Sequence, residues 1–189
     1  MSAIDHVKSR RDRLRPARRA RDAVSTKLGG LTVWAENDDI LKTGIRELQG
    51  SIEQTATMHL TIVRSVLKKL VVQSLESSDL DDKVFSGVLG ATLRSGRLDS
   101  VVCSSTNDRP YRVLMHTSQS ARWLTSRETA LEMLRTKGTV RVRDLEGRIF
   151  GARAYNTYSS AMHVLARLSY LGVVRLEGDT AYCAIKDFA

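Results

Sequence analysis

Apolar positions recur along this chain in two rhythms, and the switches between them outline the elements. From Asp38 the steps are helical. Asn37 offers an N-cap, and Asp38 and Asp39 follow in the first turn, where a helix dipole favours acids. Leu41, Ile45, Leu48, Ile52, Thr55, His59, Ile62 and Val66 then alternate four- and three-residue steps, as a heptad seam does. The pattern predicts a long helix. Its apolar members Leu41, Ile45, Leu48, Ile52, Ile62 and Val66 serve either a homodimer interface or the inner face of one helix against its own domain. Gly44 and Gly50 weaken that helix, each by about 1 kcal/mol against alanine. His59 fits a tolerated or pairing-specifying core position better than a ligand.

A second helical run, "SSDLDDKVFSGVLGATLRSG", starts on Ser78 as N-cap and stops at Gly96, with Leu80, Val84, Val88 and Leu93 along one side. Two strands joined at Asn107-Asp108-Arg109-Pro110 follow. Asp79, Asp81 and Asp82 have the composition of a metal cluster, but helix-start chemistry accounts for them without one. "SRETALEMLRTKG" runs from Ser126 to Gly138 with Ala130, Leu131 and Leu134 inward. A short alternating run at Val140 and Val142 leads into barely two helical turns, with Leu145 and Ile149 inward and a stop at Gly151. A further helix, 156–171, carries Tyr158, Ala161, Met162, Leu165 and Leu168 as its core stripe. The alternating "VVRLEGDTAYCAI" closes the set as a hairpin.

Charge changes this picture at the front of the chain. The 189 residues carry a formal charge of +9, which implies an anionic partner. The excess is concentrated in "KSRRDRLRPARRAR", where Arg10, Arg11, Arg13, Arg15, Arg18, Arg19 and Arg21 surround one acid, Asp12. Such a density cannot bury itself, and Pro16 interrupts any helix there. Residues 1–36 therefore read as a flexible basic arm and linker whose arginines suit bidentate phosphate contacts. Residues 37–117 read as a helical segment plus a helix–hairpin unit, and 118–189 as a separate C-terminal domain. Cys103 and Cys183 are far apart and suggest small buried side chains in a reducing compartment. No apolar run is long enough to span a membrane, and the N-terminus lacks the apolar core of a secretory signal. A cytoplasmic, nucleoid-associated or nuclear protein is expected.

The order helix, short strand, short helix, longer helix, hairpin over roughly residues 122–188 resembles the winged-helix branch of the helix-turn-helix proteins. "GTVRVRDLEGRI" is similar to the strand and second helix of such domains, "MHVLARLSYLGVV" to the end of the recognition helix, and "RLEGDTAY" to the wing tip. The fold class expected is thus mainly α with small β-hairpins, α+β. "SGVLGATLRSGRLDSVV" with its hairpin resembles "SAMHVLARLSYLGVVRL" with its wing, so the middle of the chain is open to being a second, degenerate winged helix. It lacks the short strand and second helix.

The resemblance implies double-stranded DNA as partner. The face of helix 156–171 opposite its core stripe carries Asn156, Ser160, His163 and Arg167, with Ser159 alongside. These are small donors and acceptors followed by a cation, as a helix in the major groove requires. The hydroxyls of Thr157, Ser159 and Ser160 and the helix N-terminus suit phosphates. Arg141, Arg143 and Arg153 surround the same edge, and Arg175 stands on the wing, whose tip is acidic (Glu177, Asp179). Two readings follow: a DNA-binding transcriptional regulator, or a non-enzymatic assembly protein of replication, partition or chromosome organisation whose winged helices hold protein partners. Four scattered histidines and two isolated cysteines supply no catalytic set, and no Gly-rich phosphate loop is present. No cofactor or metal is expected.

Overall fold

The computed structural model describes residues 2–9, 24–28, 31–150 and 158–185. It is an α+β architecture that divides into two compact units. Unit 1 comprises Met1–Thr55 and Ser65–Leu98, and unit 2 comprises Ala56–Arg64 and Asp99–Ala189.

In unit 1 a single 3-10 turn at Ala3–His6 leads into β1 (Lys8–Ser9), then β2 (Val24–Leu28), β3 (Leu31–Ala35), α1 (Asp38–Thr57), α2 (Arg64–Ser74) and α3 (Asp82–Arg94). The strands form an antiparallel sheet in the order β1-β3-β2. Asn37 caps α1 as expected, its Oδ1 accepting from the Ile40 N–H at 2.8 Å. Gly44 sits mid-helix for a packing reason. A Cβ there would lie 3.0 Å from the Ala3 carbonyl oxygen, the Ile4 Cα and a Val7 methyl, so the N-terminal turn rides directly on α1. Gly87 on α3 plays the same part for β2, where the Leu28 carbonyl oxygen would meet a Cβ at 3.0 Å.

These packings correct the expectation of a free arm over residues 1–36. Ile4 and Val7 are completely buried, and Val33, Trp34 and Ala35 join them in the core. Asp5 ties the turn down: Ser77 donates its hydroxyl to it and the Asp79 N–H donates at 3.3 Å. Burial raises the Asp5 carboxyl pKa, but these hydrogen bonds, with one from the Ser2 N–H, outweigh it and hold the group below its usual range. The dense charge of 10–21 masked the apolar residues on either side of it. The arginine segment itself lies outside the described residues.

The long seam is also corrected. α1 stops at Thr57, and Ile62 leaves the helix to exchange two 2.8 Å backbone hydrogen bonds with Leu114 before α2 begins. Leu41, Leu48 and Ile52 are core residues of unit 1, Ile62 is buried in unit 2, Ile45 is half-buried and Val66 is 44% exposed. They make no continuous stripe for a second copy, because the chain turns and divides the residues between two cores. α3 starts later than expected, with Asp81 rather than Ser78 as its cap; its Oδ1 accepts from the Lys83 and Val84 N–H groups. Asp79 and Asp82 pair with Lys8 and Lys68, so the acidic cluster is consumed locally.

Unit 2 contains β4 (Leu98–Ser104) from its second residue, β5 (Pro110–His116), α4 (Ser120–Lys137), β6 (Thr139–Arg141), α5 (Val142–Phe150), α6 (Tyr158–Tyr170), β7 (Val174–Glu177) and β8 (Thr180–Cys183). β4 and β5 form a two-stranded sheet, and the other three strands form an antiparallel sheet in the order β6-β8-β7. Gly138 closes α4 in the left-handed region, φ 69°, its N–H bonding the Leu134 carbonyl at 2.8 Å. The core gathers Trp123, Leu134, Val142, Leu145, Leu165 and Leu168 with Cys103, Val113 and Met115 from the β4–β5 hairpin. That hairpin therefore belongs with the C-terminal elements, whereas α3 belongs to unit 1. The expected boundary at 117/118 falls inside unit 2, and α3 with β4–β5 does not form a compact domain of its own.

Candidate nucleic-acid interface

Helix α6 was expected to show one polar face to a nucleic acid, and the structure turns Ser160, His163 and Arg167 of that face onto the protein. The helix packs on α4 and α5 through Ala161, Val164, Leu165 and Leu168, all essentially inaccessible. Its opposite side is covered as well. Ser160 is 3% exposed and His163 7%. The Thr61 hydroxyl lies 2.9 Å from His163 Nδ1, the Cys103 thiol donates to the His163 carbonyl at 3.6 Å, and the Tyr111 ring stands 6.0 Å from the imidazole, tilted by 59°. Arg167 donates from Nη1 to the Val102 carbonyl at 2.9 Å and lays its guanidinium over the Tyr170 ring at 5.4 Å. Ser160, His163 and Arg167 are therefore packing residues, not free base readers. Small polar side chains that suit a groove edge suit a strand's backbone equally well, so spacing alone did not choose between them.

Burial fixes the electrostatics of this cluster. It drives the His163 pKa down to about 4, so the ring is neutral at ordinary pH. It drives the Cys103 thiol up to about 12 despite the nearby Arg167 charge, and the Tyr111 hydroxyl up to about 12 with Cys103 beside it. A thiol held protonated and bonded to a carbonyl is a poor nucleophile. Among the described residues no three His, Cys, Asp or Glu side chains gather as a metal site.

The cations that remain outward lie elsewhere. Arg141 at the end of β6, Arg143 and Arg148 on α5 and Arg175 on β7 are all exposed. Arg175 is held by Glu177 at 2.8 Å, one acid of the wing tip. Arg122 was not singled out by the sequence pattern; it stacks over Phe150 at 4.6 Å. Its signal was only that an arginine preceded a tryptophan by one residue. Arg153, Asn156 and Thr157 lie outside the described residues, as does the side chain of Ser159.

Arg10, Arg11, Arg13, Arg15, Arg18, Arg19 and Arg21 are likewise outside them, but their two anchor points are defined. Ser9 pairs with Val33 and Val24 with Ala35, on opposite sides of β3. With neighbouring strands about 4.8 Å apart and the two pairings offset by two residues of about 3.4 Å along β3, Ser9 and Val24 lie about 12 Å from each other. No helix among the described residues is long and apolar enough to cross a membrane. No protein-family model matches the chain, and no curated protein matches it in sequence.

Proposed function

We propose that this chain is a non-enzymatic DNA-binding protein that grips the phosphate backbone with its arginine segment and uses a C-terminal winged-helix domain chiefly to hold protein partners. The observation that carries this is the placement of seven arginines within residues 10–21, between two strands hydrogen-bonded to the same central strand. Tethering both ends of a cationic segment limits the chain entropy lost when it settles on a polyanion. The winged-helix part of the reading is supported by the order α4-β6-α5-α6-β7-β8 and by a sheet with β8 between β6 and β7. The assembly role is favoured over base reading because on α6 Ser160 is buried and His163 and Arg167 are already engaged by Thr61 and the Val102 carbonyl.

One observation favours the regulator as a second reading. Arg141, Arg143 and Arg148 are exposed on β6 and α5, and exposed arginines suit phosphate contacts. Both readings are tested with a fluorescent 20-base-pair random duplex titrated across a range of salt. Changing the seven arginines to glutamine should weaken binding at every salt concentration. It should also lower the slope of log K against log salt by about 0.9 for each phosphate no longer neutralised. Unchanged affinity and slope would defeat the anchor. Substitution is the correct tool, since deleting the segment from the N-terminus removes Ile4 and Val7 from the core of unit 1. Selection from a random duplex library should enrich no motif. An enriched motif that disappears on changing Arg141, Arg143 and Arg148 would favour the regulator instead.

A further inference from the structure

The arginine segment is anchored differently at its two ends. Its exit, at Val24, opens a ladder of five pairs between β2 and β3, a local hairpin with its own turn. Its entry is β1, a two-residue edge strand that pairs Lys8 with Trp34 and Ser9 with Val33. So short a ladder near a chain end frays unless it is tied down. The tie is the linker between α2 and α3. Lys8 Nζ donates to the Asp79 carbonyl oxygen at 3.2 Å and pairs with its carboxylate. Ser77 donates its hydroxyl to Asp5, and the Asp79 N–H donates to the same carboxylate. Asp81 makes the contact nearest the arginines. Its Oδ2 accepts from the Ser9 N–H at 2.9 Å, while its Oδ1 caps α3 by accepting from the Lys83 and Val84 N–H groups at 2.7 and 3.3 Å. One carboxylate thus fixes the residue before Arg10 to the first turn of a helix. Burial raises the Asp81 pKa, but the bonds from Ser9, Lys83 and Val84 outweigh it and hold the group below its usual range.

We propose that Asp81 and Asp5 are positioning residues for the phosphate grip: they fix the entry of the arginine segment, so that it is held at both ends when it meets DNA. The inference rests on the DNA reading of that segment. Freed at Ser9, residues 10–23 become an arm held only at Val24, with more chain freedom to lose on a polyanion. The cost falls on affinity and leaves the number of neutralised phosphates as it was. Charge alone predicts the opposite. A carboxylate beside a phosphate-binding segment repels DNA, so removing its charge should tighten binding, whereas loss of position should weaken it. The sign of the change separates the two. Asp82, next in sequence, supplies the control, since it pairs with Lys68 on α2.

The test titrates the same fluorescent random duplex with the full chain across a range of salt. Asp81→Asn comes first, because asparagine caps a helix about as well as aspartate but offers one acceptor oxygen instead of two for α3 and Ser9. It should weaken binding about tenfold and leave the slope of log K against log salt unchanged. Asp5→Asn should act in the same direction, and Asp82→Asn should bind at least as tightly as wild type. In the seven-arginine-to-glutamine background Asp81→Asn should have no further effect. Far-UV circular dichroism checks each variant; if Asp81→Asn does not fold, Asp5→Asn decides. Unchanged or tighter binding by both variants would overturn the proposal and leave the grip standing. A reduced salt slope, an equal weakening by Asp82→Asn, or an equal weakening in the glutamine background would overturn it too, the last by making the role purely structural. If the seven-arginine-to-glutamine variant alone binds as wild type does, the DNA reading itself fails and takes the positioning role with it.

Discussion

Two hairpins in this molecule follow the same local script and end in different roles. α3 runs to Gly96, φ 72°, and then into β4 and β5; α6 runs to Gly172, φ 73°, and then into β7 and β8. In β7 buried and exposed residues alternate strictly, as in a sheet wet on one face. In β5, Val113, Leu114 and Met115 are buried in succession, so that strand is covered on both sides. β7–β8 joins β6 to complete a small sheet whose outer face carries Arg141, Arg175 and Tyr182. β4–β5 instead supplies Cys103, Val113 and Met115 to the core and the Val102 carbonyl to Arg167. The lesson is that a helix–glycine–hairpin pattern specifies the turn and the strands, while the number of buried faces decides whether the hairpin is a surface device or a structural wall.

That contrast breaks most severely at the helix between the walls. Leu165→Ala deletes a fully buried side chain from α6 and should cost about 2–5 kcal/mol in urea unfolding. A cost under about 1 kcal/mol would mean the core closes without α6. The next effect is in pH. His163 is neutral in the folded chain, with its pKa pushed down to about 4 from 6.5. The unfolded chain therefore takes up this proton first as pH falls. Stability is whole above about 6.5, declines from there to about 4, and loses up to about 3 kcal/mol in all. Wild type should lose more stability than His163→Gln between pH 7.5 and 4.5; equal losses would show that the ring is solvated.

Smaller changes sharpen the comparison. Thr61→Val leaves His163 Nδ1 buried without its hydroxyl partner and should cost about 1–2 kcal/mol. A neutral result would place a water at that nitrogen. On the other hairpin, Arg175→Ala removes an exposed ion pair with Glu177 and should change stability by no more than about 0.5 kcal/mol. A thermal melt of each variant, run side by side, ranks the two walls directly.

Much of this architecture was legible in order. The cap at Asn37, the stops at Gly96, Gly138 and Gly172, and the alternation in β7 are properties of a few neighbouring residues, and local chemistry is enough to read them; the cap of α3 was expected three residues early, at Ser78 instead of Asp81. Gly44 misled, because its use is the close approach of residues 3–7, which no window around position 44 contains. His59 and Ile62 misled for a related reason. They kept the heptad spacing past Thr57, where the strand bridge from Ile62 to Leu114 wins the backbone instead. The basic segment hid Ile4 and Val7, since an average over charge conceals two apolar residues that later find a core.

Sequence by itself determined the periodic faces, the glycine stops and the concentration of arginines at 10–21. Each of these follows from composition or from contacts within a turn or two of backbone. Only tertiary structure decided that Ser160, His163 and Arg167 of α6 are packed rather than presented, that the segment carrying Ile62 leaves its helix, and that the N-terminal turn rides on α1 at Gly44. Those outcomes depend on which distant surface covers which, through contacts as remote in sequence as Thr61 and His163. Periodicity defines a face, but burial assigns it.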